Sequence, residues 1–257
     1  MTRAAAPTVP LPAAFLKPGH IAHRGLHGPG RAENSLAAFR AAVEHGYAIE
    51  MDVQPSADGH AMAFHDYDLD RLTQASGAVD GRDAAALGAL SLRGGPGGVP
   101  TLRQALAEIG GRVPVLIEVK DRDGDMGPSV GPLEDAVADA LAGYEGDVAV
   151  MSFNPHSVAH LARRLPNVPR GLVTSAFEAR HWPDLSDATR ARLRDVPDAA
   201  RLGAGFVSHQ GDALDMPRIA ALRADGLAIL CWTIRTPDEE RRARVHADAV
   251  TFEGYLP

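Results

Sequence analysis

The sequence predicts an α/β fold of the TIM type, a (β/α)8 barrel, on three observations. The chain has 257 residues, and about 250 residues are typical of one such barrel. Short runs rich in Val, Ile and Leu alternate with segments of helical period rich in Ala, Leu, Arg and Glu. This alternation is the pattern of βαβ units around a parallel sheet. The number of apolar runs is eight, which is the number of strands that closes the barrel.

The predicted elements follow one another along the whole chain. The predicted strands are GHIAHRG, YAIEMDV, VPVLIEVK, DVAVMSF, RGLVTS, GAGFVSH, LAILCWTI and DAVTFEG. The predicted helices are residues 35–45, TLRQALAEIG, LEDAVADALAGY, HSVAHLARRL, a stretch around residues 184–195, PRIAALRADG and DEERRARVHA. We expect a single domain over residues 1–257, with an extended N-terminal arm at 1–18. The chain stops just after the last strand, so a truncated C-terminal helix is expected, the gap being covered by the arm or by another subunit.

One segment breaks the alternation after the second strand. An Asp-Gly pair lies there between two extended runs, and a parallel crossover needs a dozen residues or more. Asp-Gly is typical of the turn of a β-hairpin. The hairpin would place His65 opposite or diagonal to Glu50 and Asp52. We therefore predict a hairpin and loop insertion over about residues 56–100, lying over the barrel mouth.

Composition excludes some classes of partner and location. The formal net charge is −7, whereas affinity for nucleic acid needs a basic face. The single cysteine, Cys231, lies in an apolar run and is expected to be a buried thiol without a disulfide. No segment approaches the 18 or so apolar residues of a membrane span, and the N-terminus lacks the apolar stretch of a secretory signal. We expect a cytoplasmic protein.

Acidic side chains gather at the ends of two predicted strands. Glu50 and Asp52 are two apart and share a face of the second strand, and Glu118 lies near the end of the third. Active sites of this fold lie at the carboxyl ends of the strands. Three carboxylates there would repel one another without a cation, and an all-oxygen ligand set favours Mg²⁺ or Ca²⁺ over zinc. Taken alone, the Glu-x-Asp pair is equally compatible with a structural ion-pair site.

The same strand ends carry basic and imidazole groups. His23 and Arg24 close the first strand, His65 follows the hairpin, and Lys120 ends the third strand. Each has a structural alternative, because Lys120 could pair with Glu118 and each histidine could be a satisfied strand-end residue. Their joint occurrence at one end of the barrel favours a catalytic site.

The order of these residues resembles the glycerophosphodiester phosphodiesterase family. The matching text is IAHRGLHGPGRAENSLAAFRAAVEHG, then AIEMDVQPSADGHAMAFHDYDLDRLTQASG, then PTLRQALAEI, VLIEVK and CWTIRTP. The strong part covers about residues 20–120, and agreement is weaker from there to the end. An ordered HRG–EN–AF–IExDV–DG–HD–LxRxT series is far more specific than any short motif.

The resemblance implies a role for each matching position. It implies an acid/base pair, His23 and His65; a metal-ligand set, Glu50, Asp52 and Glu118; cationic contacts to phosphate, Arg24 and Lys120; and an aromatic wall of the substrate pocket, Trp232. For Trp232 a buried strand residue without ligand contact is an equal alternative. The sequence departs from the family pattern at two places. Arg235 stands two residues after the Trp-Thr pair, where members often carry Asn, and the final strand reads VTFEGYLP instead of the usual Thr-Asp-x-Pro type of ending. Both departures affect substrate preference and packing more than the reaction.

The implied function is metal-dependent hydrolysis of glycerophosphodiesters to sn-glycerol 3-phosphate and an alcohol. It would use one Mg²⁺ or Ca²⁺ ion and His/His acid–base catalysis. The alternatives are a lysophospholipase D, a phosphatidylinositol-type phospholipase C, and a non-catalytic barrel that binds phosphodiesters. The expected partner is a small-molecule substrate. The alcohol head group, the choice of ion, the acid and the base within the histidine pair, the attacking oxygen (water or the glycerol 2-hydroxyl) and a homo-oligomeric state are left open.

Other polar residues have structural interpretations. Asn34 is predicted to be the N-cap of the first helix, next to Glu33. Arg71 and Thr73 are predicted to pin the loop after the His-Asp segment. The remaining candidate histidines are expected on the surface or behind the ligands: His27, His45, His156 and His209.

Overall fold

A computed structural model of the protein describes residues 6–122 and 124–257. Its strands are β1 (His20–Ala22), β2 (Ala48–Pro55), β3 (Ala61–Ala63), β4 (Val115–Val119), β5 (Val148–Ser152), β6 (Arg170–Thr174), β7 (Phe206–Gln210), β8 (Ala228–Ile234) and β9 (Ala249–Phe252). Its α-helices are α1 (Ala13–Leu16), α2 (Leu36–Glu44), α3 (Ala84–Gly88), α4 (Leu102–Ile109), α5 (Pro132–Leu141), α6 (Pro155–Arg164), α7 (Asp187–Arg194), α8 (Ala199–Leu202), α9 (Pro217–Ala224) and α10 (Pro237–Ala243).

The strands form one sheet that closes on itself. Its order is β1-β9-β8-β7-β6-β5-β4-β2-β3, and β1 also pairs with β2 in parallel. The antiparallel strand β3 is the extra one, so the other eight form the closed parallel barrel. The predicted fold class is therefore confirmed, including the hairpin after the second strand. No helix follows β9 in the described chain, which runs on to Pro257.

By its internal contacts the chain divides into two compact units. The first, here called the N-terminal unit, comprises Ile21–Lys120 and Val130–Val148, and the second, the C-terminal unit, comprises the remaining residues. Each is described below by itself. The single-domain organisation expected from the sequence stays a prediction.

Strand β2 positions the acidic residues of the N-terminal unit. It pairs in parallel with β1 and β4 and is buried along nearly its whole length. The pairing with β4 sets Asp52 beside Glu118. Side chains two apart on a strand share a face, so Glu50 lies on the same face as Asp52. The polar side chains of the strand, Glu50, Asp52 and Gln54, thus share one face.

The hairpin leads into a lobe with an apolar core of its own. Gly59 has a φ of +83° at the turn, and β3 returns antiparallel to β2, with Ala63 opposite Val53. Residues of β3 and of the segment after it pack with Ala32 into one cluster of buried side chains: Ala32, Met62, Phe64, Leu69, Leu72, Val79, Leu87, Leu92 and Val99. A side chain on Gly98 would collide with the backbone of Gly88. The predicted insertion exists as a packed lobe, and its location over the barrel mouth stays a prediction.

The N-terminal arm lies within the C-terminal unit. Phe15 of α1 is fully buried, and the buried Arg170 guanidinium donates hydrogen bonds to the carbonyls of Pro7 and Leu202. Cys231 is buried and free, as predicted, and burial raises the pKa of its thiol to about 12. Among the described residues, no helix has the length and apolar character that crossing a bilayer requires.

Candidate active site

Three buried carboxylates meet in the N-terminal unit, as the sequence predicts. One oxygen each of Glu50, Asp52 and Glu118 lies within 4.8 Å of the others. Their residues are 2%, 1% and 8% exposed, so water screens their charges weakly. Strands β2 and β4 bring them together through the pairing of Asp52 with Glu118.

Two basic residues contact this cluster. The ammonium of Lys120 lies 2.7 Å from Asp52 Oδ1 and 2.5 Å from Glu118 Oε1. The Arg24 guanidinium Nε lies 3.2 Å from Asp52 Oδ2, and the Arg24 backbone N–H donates a 3.0 Å hydrogen bond to Glu50 Oε2. Arg24 holds a φ of +54° there. Both predicted phosphate-binding residues therefore lie against the predicted metal ligands.

The electrostatics of the cluster are uneven. Burial raises the pKa of Glu50 well above its ordinary value, and the charges of Asp52 and Glu118 raise it further. Burial also opposes ionisation of Asp52, but Lys120, His65 and Arg24 outweigh it and hold its pKa well below the usual range. Burial lowers the pKa of Lys120, yet Asp52 and Glu118 more than compensate, so Lys120 is charged. Glu50 is the carboxylate whose negative charge is least balanced.

This donor set fits a divalent cation. A cation among three crowded carboxylate oxygens relieves their repulsion and neutralises Glu50. The donors are all oxygens, which Mg²⁺ and Ca²⁺ prefer. The described residues thus contain an acidic group of the kind that holds a hard metal ion.

Both predicted histidines interact with Asp52. His65 comes two residues after β3, and its Nδ1 lies 2.7 Å from Asp66 Oδ1. His23 follows β1 directly. Electrostatic interactions with both imidazoles contribute to lowering the pKa of Asp52. The hairpin therefore brings His65 near the carboxylates, as its geometry predicts.

Asn34 contacts Asp52, one of the predicted metal ligands. The interpretation of the sequence missed this contact. The predicted N-cap at Asn34 is wrong, because Ser35 caps α2 by accepting a hydrogen bond from the N–H of Ala38. Asn34 instead has a φ of +52°, and its Nδ2 donates a 3.0 Å hydrogen bond to Asp52 Oδ2. Asn adopts this backbone region more readily than most residues. The Glu-Asn pair in the sequence was the signal, but local capping rules favoured a structural interpretation.

The loop after His65 is pinned as predicted, with one partner that was missed. Arg71 binds Asp66, and the Thr73 hydroxyl donates to the carbonyl of Leu69. The missed partner is Glu33, which accepts hydrogen bonds from both Arg71 and Arg24. Glu33 therefore lies between the loop and the carboxylate cluster.

Trp232 lies in the C-terminal unit on β8. It is partly exposed and lines a cavity of about 670 Å³. Its indole N–H donates to the carbonyl of Ser208 at 3.1 Å, and its ring meets that of Phe153 edge-on at 5.7 Å. Arg235 lines the same cavity and pairs with Glu253 at 2.7 Å. Contact of Trp232 with substrate stays a prediction.

The remaining histidines divide between surface and interior. His45 and His156 are exposed and His27 is partly exposed, consistent with expectation. His209 is only 1% exposed, so of its two expected positions the surface is wrong, and a position behind the ligands stays a prediction. Its Nδ1 lies 2.7 Å from the hydroxyl of Thr174, its neighbour on β6.

Comparison with known proteins agrees with this geometry. The sequence profile of the glycerophosphoryl diester phosphodiesterase family matches residues 23–253. A putative glycerophosphodiester phosphodiesterase of Bacillus subtilis is 28% identical over 239 residues, covering 90% of each chain. A glycerophosphodiester phosphodiesterase of Caldanaerobacter subterraneus is 31% identical over 176 residues, covering 63% of this chain and 69% of that one.

Solved structures share the fold. A phosphodiesterase of Oleispira antarctica, solved in complex with the product sn-glycerol-3-phosphate, aligns with a TM-score of 0.76 at 24% identity, covering 93% of this chain and 94% of that one. A putative glycerophosphoryl diester phosphodiesterase of Agrobacterium tumefaciens aligns with a TM-score of 0.75 at 21% identity, covering 91% and 92%. At these identities the likeness establishes the barrel. The match over residues 23–253 establishes more: this chain belongs to the glycerophosphoryl diester phosphodiesterase family and is an enzyme of the phosphoric diester hydrolase class.

Proposed function

We propose that this enzyme hydrolyses glycerophosphodiesters to sn-glycerol 3-phosphate and an alcohol, using a divalent cation and two histidines. The observation that carries the proposal is the buried triad of Glu50, Asp52 and Glu118. Both His23 and His65 interact electrostatically with Asp52. The product bound in the Oleispira antarctica phosphodiesterase is the product expected here.

Glu50, Asp52 and Glu118 would hold the metal, with Mg²⁺ and Ca²⁺ as the candidates. When bound, the ion supplies Lewis-acid polarisation of the phosphodiester. Glu50 is the ligand with the most to gain, because its pKa is raised by burial and by its two neighbours. Asn34 holds Asp52 through its side-chain amide, so it fixes the direction in which that ligand points.

Arg24 and Lys120 would share the charge of the phosphate. Each is mostly buried and keeps its positive charge, because the adjacent carboxylates outweigh the effect of burial on its pKa. Cations fixed in place before substrate binds stabilise developing negative charge without reorganisation. Their present contacts to Asp52 hold them in position.

The two histidines would move the protons of the reaction. One takes the proton of the attacking oxygen, which is that of water or of the glycerol 2-hydroxyl. The other donates a proton to the oxygen of the departing alcohol as its P–O bond breaks. The pKa of Asp66 is held well below its usual range because Arg71 and His65 outweigh burial. An ionised carboxylate only accepts, so His65 Nδ1 carries a proton toward Asp66 and Nε2 is left for the reaction.

The proposal extends to setting and partners. The substrate is a small water-soluble diester. The acidic net charge of −7 disfavours nucleic acid as a partner. The buried unpaired Cys231 agrees with a location in the reducing cytoplasm. The cavity beside Trp232 is lined by many charged groups, among them Asp212, Asp215 and Arg242. This lining disfavours the acyl chain of a lysophospholipid.

Alanine substitution tests the proposal. His23→Ala and His65→Ala should each lower the turnover of glycerophosphocholine by about 10²–10⁴-fold, because each removes a proton-transfer group. His45→Ala, at an exposed histidine of α2's C-terminal end, serves as the control and should leave turnover unchanged. Near wild-type turnover in both active-site variants would overturn the acid–base assignment. A faster rate on a lysophospholipid than on glycerophosphocholine would move the enzyme to the lysophospholipase D class.

A further inference from the structure

A chain of charged side chains outside the ligand set connects His65 to Arg24. From His65 Nδ1 it passes to Asp66 Oδ1 at 2.7 Å. Asp66 Oδ2 accepts from Arg71 Nε at 2.6 Å. Arg71 Nη1 then donates to Glu33 Oε2 at 2.8 Å, and Glu33 Oε1 accepts from Arg24 Nη1 at 2.6 Å. Every contact in the series lies within the N-terminal unit.

Arg71 is the centre of this chain and binds both neighbours with paired hydrogen bonds. Its Nε and Nη2 reach the two oxygens of Asp66 at 2.6 and 2.8 Å. Its Nη1 and Nη2 reach the two oxygens of Glu33 at 2.8 and 2.7 Å. Paired bonds between a planar guanidinium and a carboxylate fix orientation as well as distance. Arg71 therefore joins two carboxylates that lie on separate segments of the polypeptide.

The two carboxylates are more enclosed than the arginine that joins them. The side chain of Arg71 is 47% exposed, that of Asp66 23% and that of Glu33 13%. On the Glu33 side, Arg24 continues to Asp52 through its Nε. On the Asp66 side, the imidazole of His65 is held through one nitrogen. This series of contacts thus leads from His65, the proposed proton-transfer group, to Asp52, a proposed metal ligand.

The lobe has other sources of stability besides this series of charged contacts. It has its own buried apolar cluster, and Thr73 and Arg93 tie its loops through backbone carbonyls. A surface ion pair contributes little to stability, typically about 0–1 kcal/mol. Four charged groups held in line across two loops therefore point to placement of the histidine.

We propose that Asp66, Arg71 and Glu33 are positioning residues. They hold the His65 ring at a fixed position and orientation relative to Arg24 and the carboxylate cluster. The inference rests on the proposed function, since it assumes that His65 transfers a proton. Loss of Arg71 frees the Asp66 carboxylate to turn, so the imidazole samples orientations that do not reach the substrate. Because Arg71 acts through His65 in this scheme, we expect substrate affinity to be unchanged.

The first test compares Arg71 with a matched arginine. Arg40 binds Glu108 with a similar pair of hydrogen bonds, at 2.9 and 3.0 Å, and its side chain is 53% exposed. Arg71→Met should lower kcat on glycerophosphocholine by about tenfold or more, with KM within twofold. Arg40→Met should change neither. Arg71→Lys should have a kcat between those of Arg71→Met and wild type. If the Met variant fails to fold, the Lys variant replaces it in both tests.

The decisive test repeats Arg71→Met in the His65→Ala background. A residue that acts through His65 has no further effect once the imidazole is gone. We expect kcat of the double variant to lie within twofold of that of His65→Ala alone. A further loss as large as in the wild-type background would assign Arg71 a general structural role and overturn the proposal. An unchanged kcat in the single Arg71→Met variant would overturn it as well.

These outcomes separate this inference from the proposed function. If His65→Ala alone keeps near wild-type turnover, the acid–base assignment fails and the positioning role fails with it. If His65→Ala is strongly impaired while Arg71→Met is additive with it, only the positioning role fails.

Discussion

Two sets of buried polar side chains in this enzyme are balanced in opposite ways. In the N-terminal unit, Glu50, Asp52 and Glu118 crowd together with Lys120 between two of them. In the C-terminal unit, the buried His209 meets the hydroxyl of Thr174. Burial lowers the pKa of His209 to about 4, so this imidazole is neutral at pH 7. A sheet can bury a neutral polar group with one good hydrogen bond, whereas it keeps a group of charges only where counter-charges are supplied.

The same contrast distinguishes two histidines, His65 of the N-terminal unit and His209 of the C-terminal unit. His65 meets an ionised carboxylate that belongs to a chain of charges, and its side chain is 34% exposed. His209 meets a neutral hydroxyl and is 1% exposed. Proton transfer needs access and a partner that supports the protonated form. The difference in surroundings, rather than in residue type, separates the catalytic candidate from the structural one.

The largest effect is expected where a counter-charge is removed. Lys120→Met would leave Asp52 and Glu118 without their shared ammonium, and removing one partner of a buried pair typically destabilises by about 3–5 kcal/mol. We expect a loss of this size in urea unfolding of the metal-free protein, and partial recovery on adding Mg²⁺ or Ca²⁺. Arg40→Met, at an exposed pair that water screens, is the control and should change the free energy of unfolding little. Equal small losses in both variants would mean that the cluster tolerates its charges without Lys120.

The second effect concerns pH and belongs to His209. Its folded-state pKa is about 4, below the roughly 6.5 of an unfolded chain. Between these values the unfolded chain binds a proton that the folded chain does not, so stability falls as pH falls. The free energy of unfolding of wild type relative to His209→Gln should therefore decrease by about 3 kcal/mol from pH 7 to pH 4. A difference that is independent of pH would show that folding leaves the pKa of His209 unchanged, which would contradict this prediction.

The barrel and the meeting of the carboxylates could be predicted from the sequence for a physical reason. The periods of strands and helices depend on neighbouring residues alone. The Glu-x-Asp spacing therefore places Glu50 and Asp52 on one face of a strand, independently of distant parts of the sequence. The Asp-Gly turn likewise fixes the return of the chain that brings His65 to the cluster.

What the sequence did not predict depends on contacts between distant segments. The positive φ of Asn34 and its bond to Asp52 arise only once α2 and β2 are assembled. The link from Glu33 to Arg71 joins residues 38 apart. The burial of His209 depends on the face of β7 that it occupies. None of these features has a local period or motif that identifies it.

The central claim is that Glu50, Asp52 and Glu118 jointly hold one divalent cation. Calorimetric titration of the metal-free enzyme with Mg²⁺ and with Ca²⁺, for wild type and for Glu50→Gln, tests it most directly. Burial and the neighbouring carboxylates raise the pKa of Glu50, so the neutral Gln relieves repulsion and the metal-free variant should melt no lower than wild type. We predict one bound ion per wild-type chain and at least about tenfold weaker binding in Glu50→Gln. Equal affinity in the two proteins, or no ion bound by wild type, would contradict the account.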